Sequence, residues 1–237
     1  MKRLLNIAHR GASGHAPENT MAAFRLAKVL GADMIELDLW ESADGQLVVL
    51  HDASLLRTTG VRGRISRFRL SEIRRLDAGA WFHPHFRGER IPTLKEVAAI
   101  RDIEINIELK GADPQKVLSE LLHLGEAPRI LLSSFDHRLL EQLREIDSSI
   151  RLGFLVHRES EQNIWKEAER LRPFSLHLPQ QRVRTTFLER ARSEGMRVFA
   201  YTVNLENTMR RLINAGVDGI FTNYPDRLNS LILREQH

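Results

Sequence analysis

Short apolar runs alternate along this chain with segments of helical periodicity. The runs cover residues 4–8, 34–39, 47–50, 103–109, 130–132, 152–156, 175–178, 198–203 and 219–222. Helix signals lie between most of them. Asn19-Thr20 can cap a helix running to Leu30, with Gly31 as its stop. Thr93 and Glu96 form a capping box ahead of Val97-Ala98-Ala99-Ile100. Asp113-Pro114 opens a helix that stops at Gly125, and another over residues 206–215 stops at Gly216. Strands alternating with helices predict parallel βαβ units. Two joints look alike: Gly31-Ala32-Asp33 and Gly216-Val217-Asp218 each lead from a helix end into a strand. This is a recurring α-to-β joint, not a solenoid repeat.

One junction departs from the alternation. Residues 41–46 are too few for a crossover helix, since a parallel connection needs about a dozen, and Asp44-Gly45 is a hairpin turn signal. Residues 34–42 and 46–51 are therefore expected as antiparallel arms. Nine apolar runs then reduce to eight parallel strands plus one hairpin arm, and eight closes a (β/α) barrel. The expected fold is α/β: a (β/α)8 TIM barrel with a hairpin extension of the second strand and a small insertion. The insertion, about residues 52–92, shows one short helical stretch at 71–76 and a turn-rich aromatic part, Trp81-Phe82-His83-Pro84-His85-Phe86. It is too short to bury a core alone and reads as an excursion over one barrel face, so residues 1–237 are taken as a single domain.

Composition narrows the chemistry. The chain has 237 residues, a formal net charge of +4 and no cysteine. Disulfides, thiolate metal sites and a cysteine nucleophile are excluded. Charges of both signs are interspersed, which does not suggest a nucleic-acid arm or a membrane patch. The apolar run near the start is broken by Asn6 and ends at His9-Arg10, too short for a signal-peptide core, and no run approaches a bilayer span. The expectation is a cytoplasmic protein without stable membrane insertion.

Charges nevertheless occur inside expected barrel strands. In Ile35-Glu36-Leu37-Asp38-Leu39 and Ile105-Asn106-Ile107-Glu108-Leu109-Lys110, polar and apolar residues alternate. Neither face of a barrel strand meets bulk water, so these charges need partners. Glu36, Asp38 and Glu108 form a hard oxygen set suited to Mg²⁺ or Ca²⁺; salt bridging with Arg10 and Lys110 in a structural network fits the same spacing. His9-Arg10 ends the first strand at the catalytic rim. The hairpin should return His51 to the level of Asp38, placing a second imidazole beside the carboxylates. Trp81, Phe135 and Tyr201 are candidates for a substrate pocket, although Trp81 equally fits packing of the insertion onto the barrel and the same alternative of structural packing holds for Phe135 and Tyr201 at strand ends. His83 and His85 read as loop residues, and the arginine-rich stretches 57–75 and 182–192 as solvated faces.

These residues carry a resemblance. His9-Arg10-Gly11, Pro17-Glu18-Asn19-Thr20, Ile35-Glu36-Leu37-Asp38, His51-Asp52, Arg57-Thr58-Thr59, Asn106-Ile107-Glu108-Leu109-Lys110, Tyr201-Thr202-Val203-Asn204 and Thr222-Asn223-Tyr224-Pro225 follow in order over nearly the whole chain. The sequence resembles the glycerophosphodiester phosphodiesterases, most of all their short cytosolic bacterial members. The resemblance implies a (β/α)8 barrel that hydrolyses glycerophosphodiesters to sn-glycerol 3-phosphate and an alcohol. It implies His9 and His51 as the acid–base pair, Glu36, Asp38 and Glu108 as ligands of a divalent metal, and Arg10 and Lys110 as phosphate contacts. Tyr201 stands where the family often has tryptophan, and His15 falls in a variable stretch and receives no role. The attacking group is left as water or the glycerol 2-hydroxyl, and the oligomeric state is left open. Two other readings remain beside this one: a lysophospholipase D on the same barrel, and a non-catalytic barrel binding a phosphorylated metabolite.

Overall fold

The computed structural model describes residues 3–126 and 129–234. Met1 and Lys2, part of the basic start noted above, lie outside the described residues. The strands are β1 (Leu5–Ala8), β2 (Met34–Glu41), β3 (Leu47–Val49), β4 (Glu104–Leu109), β5 (Ile130–Ser134), β6 (Leu152–Leu155), β7 (Ser175–Pro179), β8 (Arg197–Tyr201) and β9 (Gly219–Thr222). Their order is β1-β9-β8-β7-β6-β5-β4-β2-β3, and β1 also pairs with β2, which closes eight parallel strands into a barrel. Strand β3 stands outside the ring as the antiparallel arm of β2. The fold is the expected TIM barrel with its hairpin.

Helices follow the strands in turn: α1 (Met21–Val29), then α4 (Leu94–Ala98), α5 (Pro114–Leu124), α6 (His137–Ile146), α7 (Glu161–Leu171), α8 (Thr185–Ser193), α9 (Glu206–Ala215) and α10 (Pro225–Arg234). The expected caps are present in α4, where Thr93 and Glu96 close a capping box, and in α5, which runs from the Asp113 cap to Gly125. In α1 the cap is Thr20 alone; Asn19 turns its side chain to Asp38 instead. The Gly-x-Asp joints perform one task twice. Asp33 N donates to Asn6 O while Asn6 N donates to Asp33 Oδ2, each at 2.9 Å. Asp218 and Val198 exchange the same pair, each again at 2.9 Å. Each aspartate thus extends the ladder onto the neighbouring strand.

Alternation along the strands sorts the core. Ile35, Leu37, Leu39, Ile105, Ile107 and Leu109 belong to the large cluster that includes the helices' apolar faces. A smaller cluster, Ile7, Met34, Leu131, Phe199 and Phe221, comes from strands alone and fills the barrel interior. His177 is fully buried there, its Nε2 2.8 Å from Ser175 Oγ and its ring stacked on Phe199.

The hairpin turns at Gly45, whose φ of 75° is the left-handed conformation that favours glycine. Its arms pair Leu39 with Val49 and Glu41 with Leu47. Leu50 N then donates to Asp38 O at 3.0 Å, so the return arm does bring residue 51 back beside Asp38. Residues 52–92 carry more structure than the single helical stretch expected: α2 (Leu56–Thr59), α3 (Leu70–Ile73) and two 3₁₀ turns at Ile65–Arg67 and Pro84–Phe86. The expected stretch at 71–76 appears as α3; α2 and the 3₁₀ turns are too short to show a period, which is why the apolar pattern missed them. The segment seats on the hairpin through Leu55, Ile65, Ile73, Ala78 and Ile91, packed with Val48 and Leu50.

Burial in the barrel holds the His177 pKa down to about 3. Above pH 6.5 the imidazole is neutral whether the chain is folded or unfolded. As pH falls from 6.5 toward 3, only the unfolded chain takes up the proton, so stability falls, at about 1.4 kcal/mol per pH unit for this one group. Melting temperature should therefore decline less steeply between pH 6.5 and 4.5 in His177→Gln than in the wild type. Parallel curves would show that His177 is not the source of that acid sensitivity.

Candidate active site

Strands β2 and β4 place the carboxylates. Their register sets Glu36 beside Asn106 and Asp38 beside Glu108. All three carboxylates are buried, and each offers an oxygen within 4.8 Å of the others. Bringing three like charges together in low dielectric is costly, and the pKa directions register it. Burial, then Asp38 and Glu108, push Glu36 well above the usual carboxylate range. Burial, then Asp38, push Glu108 up to about 7.

Cations answer the carboxylates from two sides. Lys110 Nζ lies 2.5 Å from Glu108 Oε1 and 3.4 Å from Asp38 Oδ1. Burial disfavours the Lys110 ammonium, but Asp38 and Glu108 outweigh that cost and raise its pKa. Arg10 approaches from the end of β1. Its backbone adopts φ 56°, a left-handed conformation costly for a non-glycine residue. In it, Arg10 N donates to Glu36 Oε2 at 2.8 Å. Arg10 Nε lies 3.4 Å from Asp38 Oδ2, and Nη1 donates to Glu18 Oε1 at 2.9 Å. Asn19, also left-handed, donates from Nδ2 to Asp38 Oδ2 at 2.8 Å.

The two expected histidines are held by different partners. His9 Nδ1 is 2.8 Å from Asn223 Oδ1, so Nδ1 carries the hydrogen and Nε2 keeps its lone pair. Burial, then Arg10, hold the His9 pKa down to about 4, so the ring is neutral near pH 7. His51 Nδ1 lies 2.6 Å from Asp52 Oδ1, and Trp40 Nε1 donates to the His51 carbonyl at 3.2 Å. Asp52 Oδ2 accepts from Arg57 Nε at 2.6 Å, and Arg57 grips Glu18 with two bonds of 2.7 and 2.8 Å. A continuous ionic chain, His51–Asp52–Arg57–Glu18–Arg10, therefore joins the residues 52–92 segment to the barrel rim.

These groups open on a cavity of about 240 Å³. His9, Arg10, Glu36, His51, Glu108 and Lys110 line it, with Asn106, Ser133, Phe135 and Tyr201. Asp38 lies beneath. Tyr201 Oη donates to Val156 O, so it presents its ring. Phe135 meets that ring edge-on at 6.2 Å and carries Lys110 Nζ 5.7 Å from its centroid. Trp81 is outside the lining. Its Nε1 donates to Ala78 O, and the Arg57 guanidinium stands 5.9 Å from its ring.

A profile of the glycerophosphoryl diester phosphodiesterase family matches residues 9–227. The chain belongs to this family. The glycerophosphodiester phosphodiesterase of Caldanaerobacter subterraneus subsp. tengcongensis is 39% identical over 241 residues, covering 98% of both chains. One from Bacillus subtilis is 34% identical, covering 94% of this chain and 85% of that one. The barrel superposes with a TM-score of 0.88 on an Oleispira antarctica phosphodiesterase solved in complex with the product sn-glycerol-3-phosphate, 32% identical with 95% of each chain covered. A glycerophosphodiester phosphodiesterase from Agrobacterium tumefaciens gives 0.85 at 33% identity, covering 97% and 100%.

In this phosphodiesterase, the set Glu36, Asp38 and Glu108 could hold a metal ion. Asp38 Oδ1 is buried and accepts no hydrogen bond, with Lys110 Nζ 3.4 Å away, which leaves a lone pair free. An all-oxygen donor set with raised carboxylate pKa values fits a hard cation. Arg57, expected on a solvated face, is instead the link between Asp52 and Glu18. Asn223, Glu18 and Asp52 received no role from spacing, because each acts on a neighbour distant in sequence or oriented only by the fold.

The raised Glu108 pKa gives a signed expectation for metal-free protein. Between about pH 4.5 and 7 the folded state holds a proton that the unfolded chain has released, so stability falls as pH rises through this window and stays reduced above it. Glu108→Gln should melt higher than wild type at pH 8, by a difference on the order of 2–3 kcal/mol, with the gap closing near pH 4.5. A variant less stable than wild type at pH 8 would contradict this account.

Proposed function

We propose that the protein hydrolyses glycerophosphodiesters to sn-glycerol 3-phosphate and an alcohol, in a divalent-metal-dependent reaction with His9 and His51 as the acid–base pair. The observation that carries this reading is one cavity lined by two differently held imidazoles, two cations and the edge of a buried carboxylate cluster. Its charge suits a phosphodiester. A 2+ ion against three carboxylates leaves −1, and Arg10 with Lys110 brings the group to +1.

Glu36, Asp38 and Glu108 would hold a hard divalent cation, Mg²⁺ or Ca²⁺, which would supply Lewis acidity and an acidified nucleophile. The rest is work for side chains. Arg10 and Lys110 bind and orient the phosphate, Arg10 by a guanidinium that can make parallel bonds. His9, neutral with its Nε2 lone pair free, accepts the proton of the nucleophile. So weak a base suits an acidified nucleophile. His51, whose Nδ1–H donates to Asp52, is oriented by that carboxylate to deliver a proton to the departing alkoxide. Phe135 and Tyr201 wall the mouth on which the alcohol side of the diester would lie. A cavity of about 240 Å³ is below the usual range for drug-sized ligands, which favours a compact polar diester over an acylated lipid.

The deciding experiment incubates purified protein with glycerophosphocholine, glycerophosphoethanolamine, glycerophosphoglycerol and lysophosphatidylcholine, with Mg²⁺, Ca²⁺ or chelator. Release of glycerol 3-phosphate from the soluble diesters, abolished by chelator and restored by metal, is expected. Full activity in metal-free protein would sink the carboxylate assignment, and preference for the acylated substrate would favour a lysophospholipase D. His9→Ala and His51→Ala should each lower kcat by at least about 10²-fold with folding intact. Near-normal turnover in either would remove that residue from the mechanism.

A further inference from the structure

The +4 net charge of the chain is distributed unevenly. Residues 52–92 contain nine arginines, no lysine and four acids, a net +5, while the remainder carries 26 basic and 27 acidic residues, a net −1. Folding uses two of the nine arginines. Arg57 pairs with Glu18 and Asp52, and Arg74 with Glu96. Among the described residues, every other arginine of the segment is exposed, without an ion-pair partner and without a side-chain hydrogen bond. Three of the segment's four acids are occupied locally, Asp77 by three backbone N–H groups, Glu72 by Arg69 N and Asp52 by His51 and Arg57, while Glu89 accepts from Ala22 N at 3.4 Å.

Apolar side chains stand on the same segment. Leu56 is 49% exposed and Trp81 43%, and Arg57, next to Leu56 in sequence, holds its guanidinium 5.9 Å from the Trp81 ring. Trp81 is backed edge-on by Phe82, and Phe82 by Phe86, each at 5.7 Å. An amphipathic aromatic and an exposed leucine on the segment that carries the unpaired guanidinium groups match the two layers of a lipid interface, headgroup phosphates and the acyl boundary below them. A single-stranded nucleic acid would use the arginines and Trp81 but has no use for Leu56.

We propose that the basic segment 52–92 docks the enzyme on anionic phospholipid surfaces, with its arginines on headgroup phosphates and Trp81 and Leu56 at the interface. The preference for lipid over RNA rests in part on the proposed activity, since a glycerophosphodiester is what remains when a phospholipid loses its acyl chains. The dock is tied to the active-site rim through Arg57, so binding would hold the cavity mouth close to where that deacylation occurs.

The test is sedimentation of the full chain with phosphatidylglycerol–phosphatidylcholine vesicles, against phosphatidylcholine alone, at low and high salt. Binding only to the anionic vesicles, weakened by salt, is expected. A variant carrying Arg62→Gln, Arg64→Gln, Arg87→Gln and Arg90→Gln should lose at least about tenfold in partitioning while keeping its kcat/KM on soluble glycerophosphoglycerol. Failure to bind anionic vesicles at low salt, or equal binding by the variant, would overturn the proposal. Retention of RNA without vesicle binding would overturn it in favour of a nucleic-acid partner. Vesicle binding without turnover of any soluble diester would break the proposed function and leave the docking surface standing.

Discussion

Three carboxylates buried at one end of a barrel are the constraint around which this structure is arranged. An isolated buried carboxylate gives up its charge rather than its solvation, and here Glu36 and Glu108 are both driven upward in pKa. The neighbourhood is organised to limit that cost. Lys110 comes from the strand that carries Glu108, while Arg10 accepts a left-handed backbone so that its amide and its guanidinium reach Glu36 and Asp38. Asn19 accepts the same strain to donate to Asp38. The compensation is incomplete, since Asp38 Oδ1 keeps an unshared lone pair. A site left short of positive charge in this way could hold a cation.

The barrel and the 52–92 segment divide the work. The barrel provides rigidity: strand register fixes Asp38 beside Glu108, and helices cover the apolar faces of those strands. The hairpin's return arm contributes His51, and the segment contributes its orienting partner Asp52, which Arg57 links back to Glu18 on the rim. Burial and the two arginines act against each other at Glu18; the arginines prevail and its pKa falls, so it remains a carboxylate between two cations. Ion pairs of this kind are worth little when exposed. This one is half-sheltered, and its importance lies in geometry, because one guanidinium sets the position of both Asp52 and Glu18.

Legibility in the sequence followed the range of each interaction. The eight parallel strands, the hairpin arm, the α4 and α5 caps and the Gly-x-Asp joints are local patterns, and the apolar period and turn chemistry exposed them. The inward carboxylates were visible because a charge in a strand buried on both faces violates the pattern, and His51 because a two-residue turn signal fixes how far the return arm reaches. Of the one-turn helices of the insertion only α3 was visible, as the stretch at 71–76, and the others have no period. Arg57 looked like its solvated neighbours, because nothing local distinguishes one arginine in a run from the next.

What the sequence determined by itself is therefore the barrel, the strand ends bearing His9, Glu36, Asp38, Glu108 and Lys110, and the absence of thiol chemistry. Tertiary structure decided which partners those groups have. Asn223 reaches His9 across 214 positions and Arg57 reaches Glu18 across 39. Closing the barrel places the last strand against the first and so sets the tautomer of His9, while the Arg57 link between Asp52 and Glu18 sets the orientation of His51. Local propensity acts over a few residues, whereas protonation and orientation depend on what is packed nearby in space.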